Sequence, residues 1–427
     1  MIINALDIKN FRNFEALRVD FHQGVNLFVG INGSGKTALL EAINIISGSY
    51  LQQNPVVKHY AIEPSQVRMG FEENKFIDRF PVKVMSVLTF QYPEGEKSFK
   101  VYRVKSSRSG RTTTSKAYGA SNLGYLHYHK SDPKHVLPVI SFYSTQRLHV
   151  SKRKTDSPKR MGKFEGYFNC LDPENNLRYF LDWWRKAEID ELKEKQINTN
   201  FFDPQLRLVK GVLGRVLGEE IDFESGGGFY YSLQLAEFVT VFRDGNRLPF
   251  SKLSDGYRNL IGLFADLAYR IGTLNYSSLG VDCLTETFGV VAIDEIDLHL
   301  HPKWQAKVIA LLQEIFPNIQ FFITTHSPIV VSSFDKGHLY TIEGNKVNPE
   351  GTFYGKDINT TISDLFEANE RGSAEMQEKA DEFQTLMGTK AFDSARYKLL
   401  RKDLTEILGD LDPLVVRAKT LEKLFGK

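Results

Sequence analysis

The most informative segment of the chain is Gly30-Ile-Asn-Gly-Ser-Gly-Lys-Thr37. It matches the phosphate-loop pattern G-x-x-x-x-G-K-[ST] at every fixed position. The apolar run Val25–Val29 precedes it. From Thr37 to Ser47 the apolar residues recur at helical spacing, and Gly48 is expected to end the helix. A strand, a glycine-rich loop and a helix in this order predict a nucleotide-binding site.

Each part of the loop has a chemical task. Glycines let backbone N–H groups curl around phosphate oxygens without obstruction by a Cβ atom. The helix that follows turns its positive end toward the same anion. Lys36 is expected to neutralise the β and γ phosphates, and the Thr37 hydroxyl to ligate Mg²⁺. The expected nucleotide-binding residues of the loop are Gly30, Asn32, Gly33, Ser34, Gly35, Lys36 and Thr37.

A second apolar strand, Val290–Ile293, ends in two carboxylates, Asp294 and Glu295. Ligands of open α/β sheets bind beyond the carboxyl ends of the strands. Asp294 is therefore expected to hold Mg²⁺, directly or through water, and Glu295 to polarise the attacking water. The alternative is an acidic turn without a catalytic role.

A third strand, Gln320–Thr324, leads to His326. A histidine at this place can hydrogen-bond the γ-phosphate or the attacking water, so His326 joins the candidate catalytic residues. The alternative is a loop histidine without a role in catalysis.

A second anion site is predicted at Ser254 and Gly256, where the helix Arg258–Leu274 begins. One nucleotide does not need two such sites in one chain. The site makes sense if it caps the γ-phosphate of a nucleotide held by a second copy, so that two chains enclose two nucleotides in an isologous dimer. An N-cap without further meaning is the alternative.

The composition is that of a globular protein. Of 427 residues, 42% are apolar and 25% are charged, which excludes wholesale disorder, collagen and a coiled-coil rod. No window approaches the roughly 18 apolar residues of a membrane span, and the first residues show no secretory signal. Cys170 and Cys283 are too few for a disulfide framework or a four-ligand zinc site. The reducing cytoplasm is therefore the expected compartment. The net charge of +2 leaves any DNA-binding surface to be a local one.

Strand-like and helical segments alternate along the chain, which predicts a mixed α/β fold. The expected strands include the two ends of 80–104, Leu137–Tyr143 and Leu233–Val241, the last followed by an Asp244-Gly245 hairpin turn, with a further hairpin at 339–348. The expected helices include Asn176–Gln196, Leu206–Leu217 and Trp304–Phe316, and the chain is helical and charged from about residue 357.

These residues carry a resemblance to the ABC-type ATPases of the RecF/SMC class. Ile2–Phe14 resembles the opening strand of that class, which implies a nucleotide contact for Arg12. Asp294 and Glu295 fall on its Walker B motif, His326 on its switch histidine and Ser254-Asp-Gly256 on its signature motif. The signature departs from L-S-G-G-Q at Asp255 and Tyr257, which leaves the rate of hydrolysis open.

The resemblance has further implications. Gln146, after the strand Pro138–Tyr143, is the choice for the Q-loop residue, which contacts the nucleotide and its Mg²⁺. The implied fold is an ATPase head with a mixed β-sheet, an antiparallel β subdomain and a helical insertion. The implied activity is hydrolysis of ATP with Mg²⁺.

A narrower resemblance rests on two blocks, Asp294–Gln305 and Phe316–Pro328, together with Leu253–Arg258. These look like the PtuA-like ATPases of the Septu anti-phage system and the similar ATPases of some retrons. The resemblance implies a separate HNH nuclease subunit (PtuB-like) that cleaves DNA, with this chain contacting DNA through the complex. It also makes Asp297 the D-loop residue that signals across the dimer.

Two domains are expected. Residues 1–345 would form the ATPase domain, with insertions around 105–135 and 150–220. Residues 346–427 would form a helical region for oligomerisation, where a second interface would allow a multimer larger than a dimer, or for partner docking. A packing appendage of the ATPase lobe is the alternative.

Several rival functions stay open. A fused Toprim nuclease would need carboxylates such as Glu343, Asp410 and Asp412. His299 and His301 have metal-ligand spacing but no third ligand.

Basic segments at 97–116 and 152–163 suit phosphate contacts, as a RecF/SMC-like DNA-repair ATPase that binds DNA itself would need. Otherwise they are solvated loops. A standalone nuclease is the third reading.

Overall fold

The computed structural model describes residues 1–51, 61–92, 95–115, 135–147, 162–172, 176–223, 228–358, 360–361, 365, 374–409 and 412–425. The chain divides into two compact units, Met1–Gly355 and Lys356–Lys427. Within the described ranges, every helix is too short or too polar to span a lipid bilayer.

The first unit contains all the described strands and most of the described helices. Its strands are β1 (Ile2–Phe11), β2 (Phe14–Asp20), β3 (Val25–Val29), β4 (Met69–Glu72), β5 (Lys75–Asp78), β6 (Val82–Tyr92), β7 (Gly95–Lys105), β8 (Thr113–Thr114), β9 (Val139–Tyr143), β10 (Phe229–Ser232), β11 (Glu237–Val241), β12 (Arg247–Pro249), β13 (Gly289–Ile293), β14 (Ile319–Thr324), β15 (His338–Glu343) and β16 (Lys346–Glu350). Its helices are α1 (Lys36–Tyr50), α2 (Asn176–Lys195), α3 (Pro204–Leu217), α4 (Asp255–Leu279), α5 (Cys283–Glu286), α6 (Pro302–Gln305), α7 (Val308–Ile315) and α8 (Pro328–Ser332).

A central sheet with the order β16-β15-β3-β14-β13-β9 carries the site. Its strands pair in parallel except β15 with β16. The strands β3, β9, β13 and β14 are buried along their whole length, as expected of mainly apolar strands in a sheet covered on both faces. Ile293 pairs with Ile323 on one side and Tyr143 on the other. The carboxyl ends of these strands therefore meet at one edge.

An antiparallel sheet with the order β2-β1-β6-β7-β8 lies beside the central one. The side chain of Gln320 joins the two, since its Oε1 accepts from the Ile3 N–H and its Nε2 donates to the Ile3 carbonyl, both at 2.8 Å. Helix α1 contacts strands of both sheets. The helix that follows the phosphate loop is thus fixed from two directions.

Helix α4 is anchored by a buried ion pair. Arg270 Nε donates to Asp266 Oδ2 at 2.7 Å, and the hydroxyl of Tyr143, at the end of β9, donates to the same oxygen at 2.8 Å. Arg270 Nη1 also donates to the carbonyls of Gly166 and Phe168. These bonds hold α4 against β9 and so set where its first turn lies.

The predicted fold class is confirmed: a mixed α/β unit holds a phosphate loop, an antiparallel subdomain and helical elements, and a helical region follows. The sheet continues past the expected boundary at residue 345, because β16 pairs with β15, and the first unit ends at Gly355.

Three element predictions are wrong in part. Helix α1 runs through Gly48 to Tyr50. The expected helix Trp304–Phe316 is two helices, α6 ending at Gln305 and α7 beginning at Val308, with a turn at Ala306 and Lys307 between them. In the expected strand Leu233–Val241 only Glu237–Val241 is extended, because the hairpin turn between β10 and β11 includes Ala236 at a φ of 52°.

The second unit has its own core. Its described helices are α9 (Ala374–Gly388), α10 (Ala395–Leu408) and α11 (Pro413–Phe425). Their buried side chains pack into one cluster: Ala380, Phe383, Met387, Phe392, Tyr397, Leu400, Leu404, Leu414 and Ala418. The helical character expected from about residue 357 is confirmed over these ranges.

Candidate functional site

The phosphate loop lies between the end of β3 and the start of α1. Gly33 and Gly35 have φ values of 80° and 110°, a region that other L-residues rarely adopt. A Cβ atom on Gly35 would lie 2.6 Å from the side chains of Asn13 and Phe14. Asn13 Nδ2 donates to the Ser34 carbonyl at 3.2 Å. The loop is therefore shaped by contacts with the turn between β1 and β2 that only glycine permits.

Lys36 is held inside this loop. Its side chain is 5% exposed, and Nζ donates to the carbonyls of Gly30 at 2.7 Å and Ile31 at 2.9 Å. Burial lowers the pKa of Lys36 to about 8, against the opposing effect of Asp294, Glu295 and Asp297. The ammonium thus lies where the loop would enclose a phosphate, close to the acidic strand end.

Thr37 and Asp294, two of the residues predicted to hold Mg²⁺, are in hydrogen-bond contact. Thr37 Oγ1 donates to Asp294 Oδ2 at 2.9 Å, and Thr324 Oγ1 donates to Asp294 Oδ1 at 2.6 Å. Adjacent ligands of octahedral Mg²⁺, each 2.0–2.1 Å from the ion, are about 2.9 Å apart. The hydroxyl and carboxylate oxygens therefore fit neighbouring positions around one Mg²⁺.

Glu295 follows Asp294 in a strained turn. Its φ is 46°, in the left-handed region. Its backbone N–H donates to Thr324 Oγ1 at 2.8 Å. Thr324, at the end of β14, thus contacts both Walker B residues, a role that sequence reasoning missed.

His326 lies beside the same carboxylates. Asp297 Oδ1 accepts from the hydroxyl of Thr325 and, at 3.3 Å, from the His326 N–H, which fixes the loop after β14. Burial and the charge of Lys36 lower the pKa of His326, while Glu295, Asp297 and Asp294 oppose this shift. A neutral imidazole next to the loop can donate one hydrogen bond and accept another.

Ser254 and Gly256 lie at the start of α4. Ser254 is exposed and is the N-cap residue, but its side chain makes no capping hydrogen bond. A Cβ atom on Gly256 would lie 2.8 Å from the His299 carbonyl oxygen. Asp255 pairs with Arg258. The signature turn is therefore packed against the loop that follows Walker B and keeps its serine at the surface.

Arg12 and Gln146 lie outside this cluster. Arg12 forms a bidentate ion pair with Glu41 of α1, at 2.6 and 2.8 Å. Gln146 is exposed, and its backbone N–H donates to Ser144 Oγ at 3.0 Å. The next residue, Arg147, contacts the acidic strand end, where its guanidinium donates to the carbonyls of Asp294 and Glu295. The available sequence signal was a basic residue four positions after an apolar strand, Arg147 after Tyr143.

The residues considered for a zinc site or a fused nuclease do not form a metal cluster in the described part of the chain. His301 Nδ1 accepts from the Lys303 N–H at the start of α6, and among the described residues no group of three His, Cys, Asp or Glu side chains is arranged to hold a metal. Glu343 is in the first unit, Asp412 Oδ1 caps α11 in the second, and Asp410 lies outside the described residues.

The first basic segment is mainly strand. Arg103 and Lys105 on β7 are buried, Lys105 donating to the Gly110 carbonyl at 2.6 Å, and Arg108 pairs with Asp78. Lys116 and residues 152–161 of the second segment lie outside the described residues. Lys163 donates to the His135 carbonyl at 3.2 Å. In the described part of the first segment Arg103 and Lys105 are buried, and the other basic residues, Lys97, Lys100, Arg108 and Arg111, are exposed, so phosphate contact stays a prediction.

Two family models match the chain. One, described as "AAA domain, putative AbiEii toxin, Type IV TA system", matches residues 137–332, and another, described as "AAA domain", matches residues 5–203. Each covers less than half of the chain.

Curated relatives match most of the chain at low identity. The chain is 25% identical to the retron Ec83 probable ATPase of Escherichia coli, over 97% of this chain and 85% of that protein. It is 23% identical to the retron Vc95 probable ATPase of Vibrio cholerae, over 84% and 78%. It is also 23% identical to the Septu protein PtuA of Bacillus thuringiensis, over 78% and 74%. The predicted resemblance is confirmed. The SMC head domain from Thermotoga maritima matches at a TM-score of 0.41 and 17% identity, over 82% of this chain and 99% of that one.

Proposed function

We propose that this chain is the ATP-binding and ATP-hydrolysing subunit of an anti-phage defence complex. Two copies would dimerise around ATP and Mg²⁺ and regulate a partner HNH-type nuclease that cleaves DNA. The similarity to retron probable ATPases and to Septu PtuA supports the ATPase and the defence context.

The arrangement of Lys36, Thr37 and Asp294 carries the ATPase proposal. Lys36 is enclosed by the phosphate loop, and the oxygens of Thr37 and Asp294 are 2.9 Å apart. ATP would place its β and γ phosphates against Lys36. Mg²⁺ on Thr37 and Asp294 would offset the charge of the phosphates.

The hydrolytic step follows from the neighbouring residues. Glu295 would orient a water molecule and accept its proton as the water oxygen bonds to the γ-phosphorus and ADP leaves. His326 would hydrogen-bond the γ-phosphate, with its backbone held by Asp297. Ser254 and Gly256 would cap the γ-phosphate of the nucleotide in the second copy, which the uncapped and exposed serine supports.

The roles of Lys36 and Glu295 are tested by two substitutions in the full chain. Lys36→Ala should abolish ATP binding, because the phosphates lose their enclosed cation. Glu295→Gln should keep binding and lower the turnover rate by about 100-fold or more, as expected for loss of a general base. ATP affinity and phosphate release give the two readouts. Wild-type turnover by Glu295→Gln would show that the base is assigned wrongly.

The partner is tested by co-purification. The tagged chain is isolated with its neighbouring gene product, its mass is measured, and DNA cleavage is assayed with and without ATP. A stable complex that cuts DNA only when both chains are present is expected if the nuclease is the partner subunit.

Two results would contradict this proposal. DNA cleavage or strong salt-dependent DNA binding by this chain alone, without a complex, would replace the proposal by a nuclease or by a RecF/SMC-like repair ATPase.

A further inference from the structure

Arg147 is buried between the ends of β9 and β13 and the first turns of α4. Its side chain is 6% exposed. All three guanidinium nitrogens donate: Nε to Asn259 Oδ1 at 2.7 Å, Nη1 to the carbonyls of Ser144 at 3.0 Å and Asp294 at 2.7 Å, and Nη2 to the Glu295 carbonyl at 2.8 Å. One side chain thus binds both carbonyls of the Walker B pair.

These bonds act on the strained residue. Glu295 has a φ of 46°, and such a conformation persists only where the surroundings hold it. Arg147 binds the carbonyl on each side of the Glu295 Cα atom, and Thr324 accepts from the Glu295 N–H. The direction of the Glu295 side chain depends on this turn, so it depends on Arg147.

Asn259 fixes the guanidinium in turn. This residue of α4 accepts from Arg147 Nε and donates through Nδ2 to the Leu298 carbonyl at 2.7 Å. The helix that begins at Ser254 is thereby joined to the Walker B turn and to the loop after it. A lysine has no planar fork and cannot serve these directions at once.

Arg147 keeps its positive charge in this buried position. Burial lowers the pKa of Arg147 to about 10, and Asp294, Asp297 and Glu295 oppose this shift. The guanidinium therefore remains charged at neutral pH, and its donors remain available.

We propose that Arg147 is a positioning residue that holds Glu295 in its catalytic orientation and ties that turn to helix α4 through Asn259. This role rests on the proposed ATPase function. Arg147 acts through Glu295, so its loss should affect the turnover rate of bound ATP and leave the affinity for ATP unchanged.

The test measures ATP affinity, kcat and the thermal unfolding midpoint of the full chain. Arg147→Met should lower kcat about 100-fold, the effect of a small misplacement of a reacting group, with the ATP dissociation constant within about twofold of wild type. Arg147→Lys should not restore kcat. Arg215→Met, which removes a surface ion pair with Glu314, is the control and should keep wild-type kcat.

A double-mutant cycle separates positioning from general damage. In the Glu295→Gln background, Arg147→Met should cause little further loss of kcat, because the group that it positions is already gone. If Arg147→Met does not fold, Asn259→Ala replaces it. This change removes the bond from the guanidinium to Asn259 and the bond from Asn259 to the Leu298 carbonyl, and it should lower kcat about tenfold.

Three results would overturn the role of Arg147 alone: kcat within twofold of wild type, a loss of affinity that parallels the loss of kcat, or an equal loss in both backgrounds. A wild-type chain without ATPase activity, or a fully active Glu295→Gln variant, would overturn the proposed function and this role with it.

Discussion

At the scale of single residues, Lys36 is a cation in surroundings that disfavour its charge. The loop buries it against carbonyl oxygens, and burial lowers its pKa to about 8. The nearby Asp294 and Glu295 only partly offset this effect. The negative charge of a bound triphosphate would favour the ammonium and raise its pKa.

Proton uptake on nucleotide binding should follow from this. Lys36 is protonated below about pH 8 and neutral above it. Since the triphosphate favours the protonated form, binding at about pH 9 should take up nearly one proton and binding at about pH 7 almost none. ATP affinity should fall about tenfold per pH unit above pH 8.

Calorimetry of Mg²⁺–ATP binding in two buffers with different ionisation enthalpies measures this uptake. Lys36→Arg is the matched control, because a guanidinium does not titrate in this range. Equal uptake at both pH values in the wild-type chain would contradict the linkage.

At the scale of elements, the start of helix α4 is set by close backbone contact. Gly256 lets the first turn approach the His299 carbonyl, in the loop after Walker B. Farther along the helix, Asp266 fixes α4 to Tyr143 of β9. The proposed trans-capping serine is therefore presented by a helix that is fixed at both its first and its middle turns.

Gly256→Ala should weaken ATP-dependent dimerisation. The added Cβ atom would lie 2.8 Å from the backbone oxygen of His299, so the start of α4 must move. Overpacking of this kind costs about 1–3 kcal/mol of folding free energy. Mass measurement with ATP, in the Glu295→Gln background, should show dimer formation at concentrations at least about tenfold higher, a shift of about 1.4 kcal/mol. Binding of ATP to the single chain should persist.

Gly211→Ala supplies the matched control. Gly211 lies in α3, and a Cβ atom there meets no atom within 4 Å. This change should stabilise the fold by about 0.4–1 kcal/mol and leave dimerisation unchanged. If both alanine variants dimerise like the wild type, the contact of Gly256 with His299 has no part in the dimer.

At the scale of the whole molecule, only one of the two units contains candidate site residues. The candidate site draws on residues from Gly30 to His326, all within the first unit. The second unit has its own buried cluster and none of the candidate site residues. This division supports the proposal that the C-terminal region serves oligomerisation or partner docking.

The sequence by itself determined the local parts of this protein. The phosphate loop, the acidic strand end and the mixed α/β class can be predicted from short continuous stretches, because each depends on a few neighbouring residues.

Only the tertiary structure decided what completes the site. The bond from Arg147 to the Asp294 carbonyl joins residues 147 positions apart, and the bond from Thr37 to Asp294 spans 257. Arg12 pairs with Glu41, and Gln146 stays exposed while its neighbour turns inward. No local pattern encodes these contacts, because strand order, register and burial bring them together. From the sequence alone, the guanidinium of Arg147 would be expected at the surface. In the fold it is surrounded by backbone carbonyl oxygens.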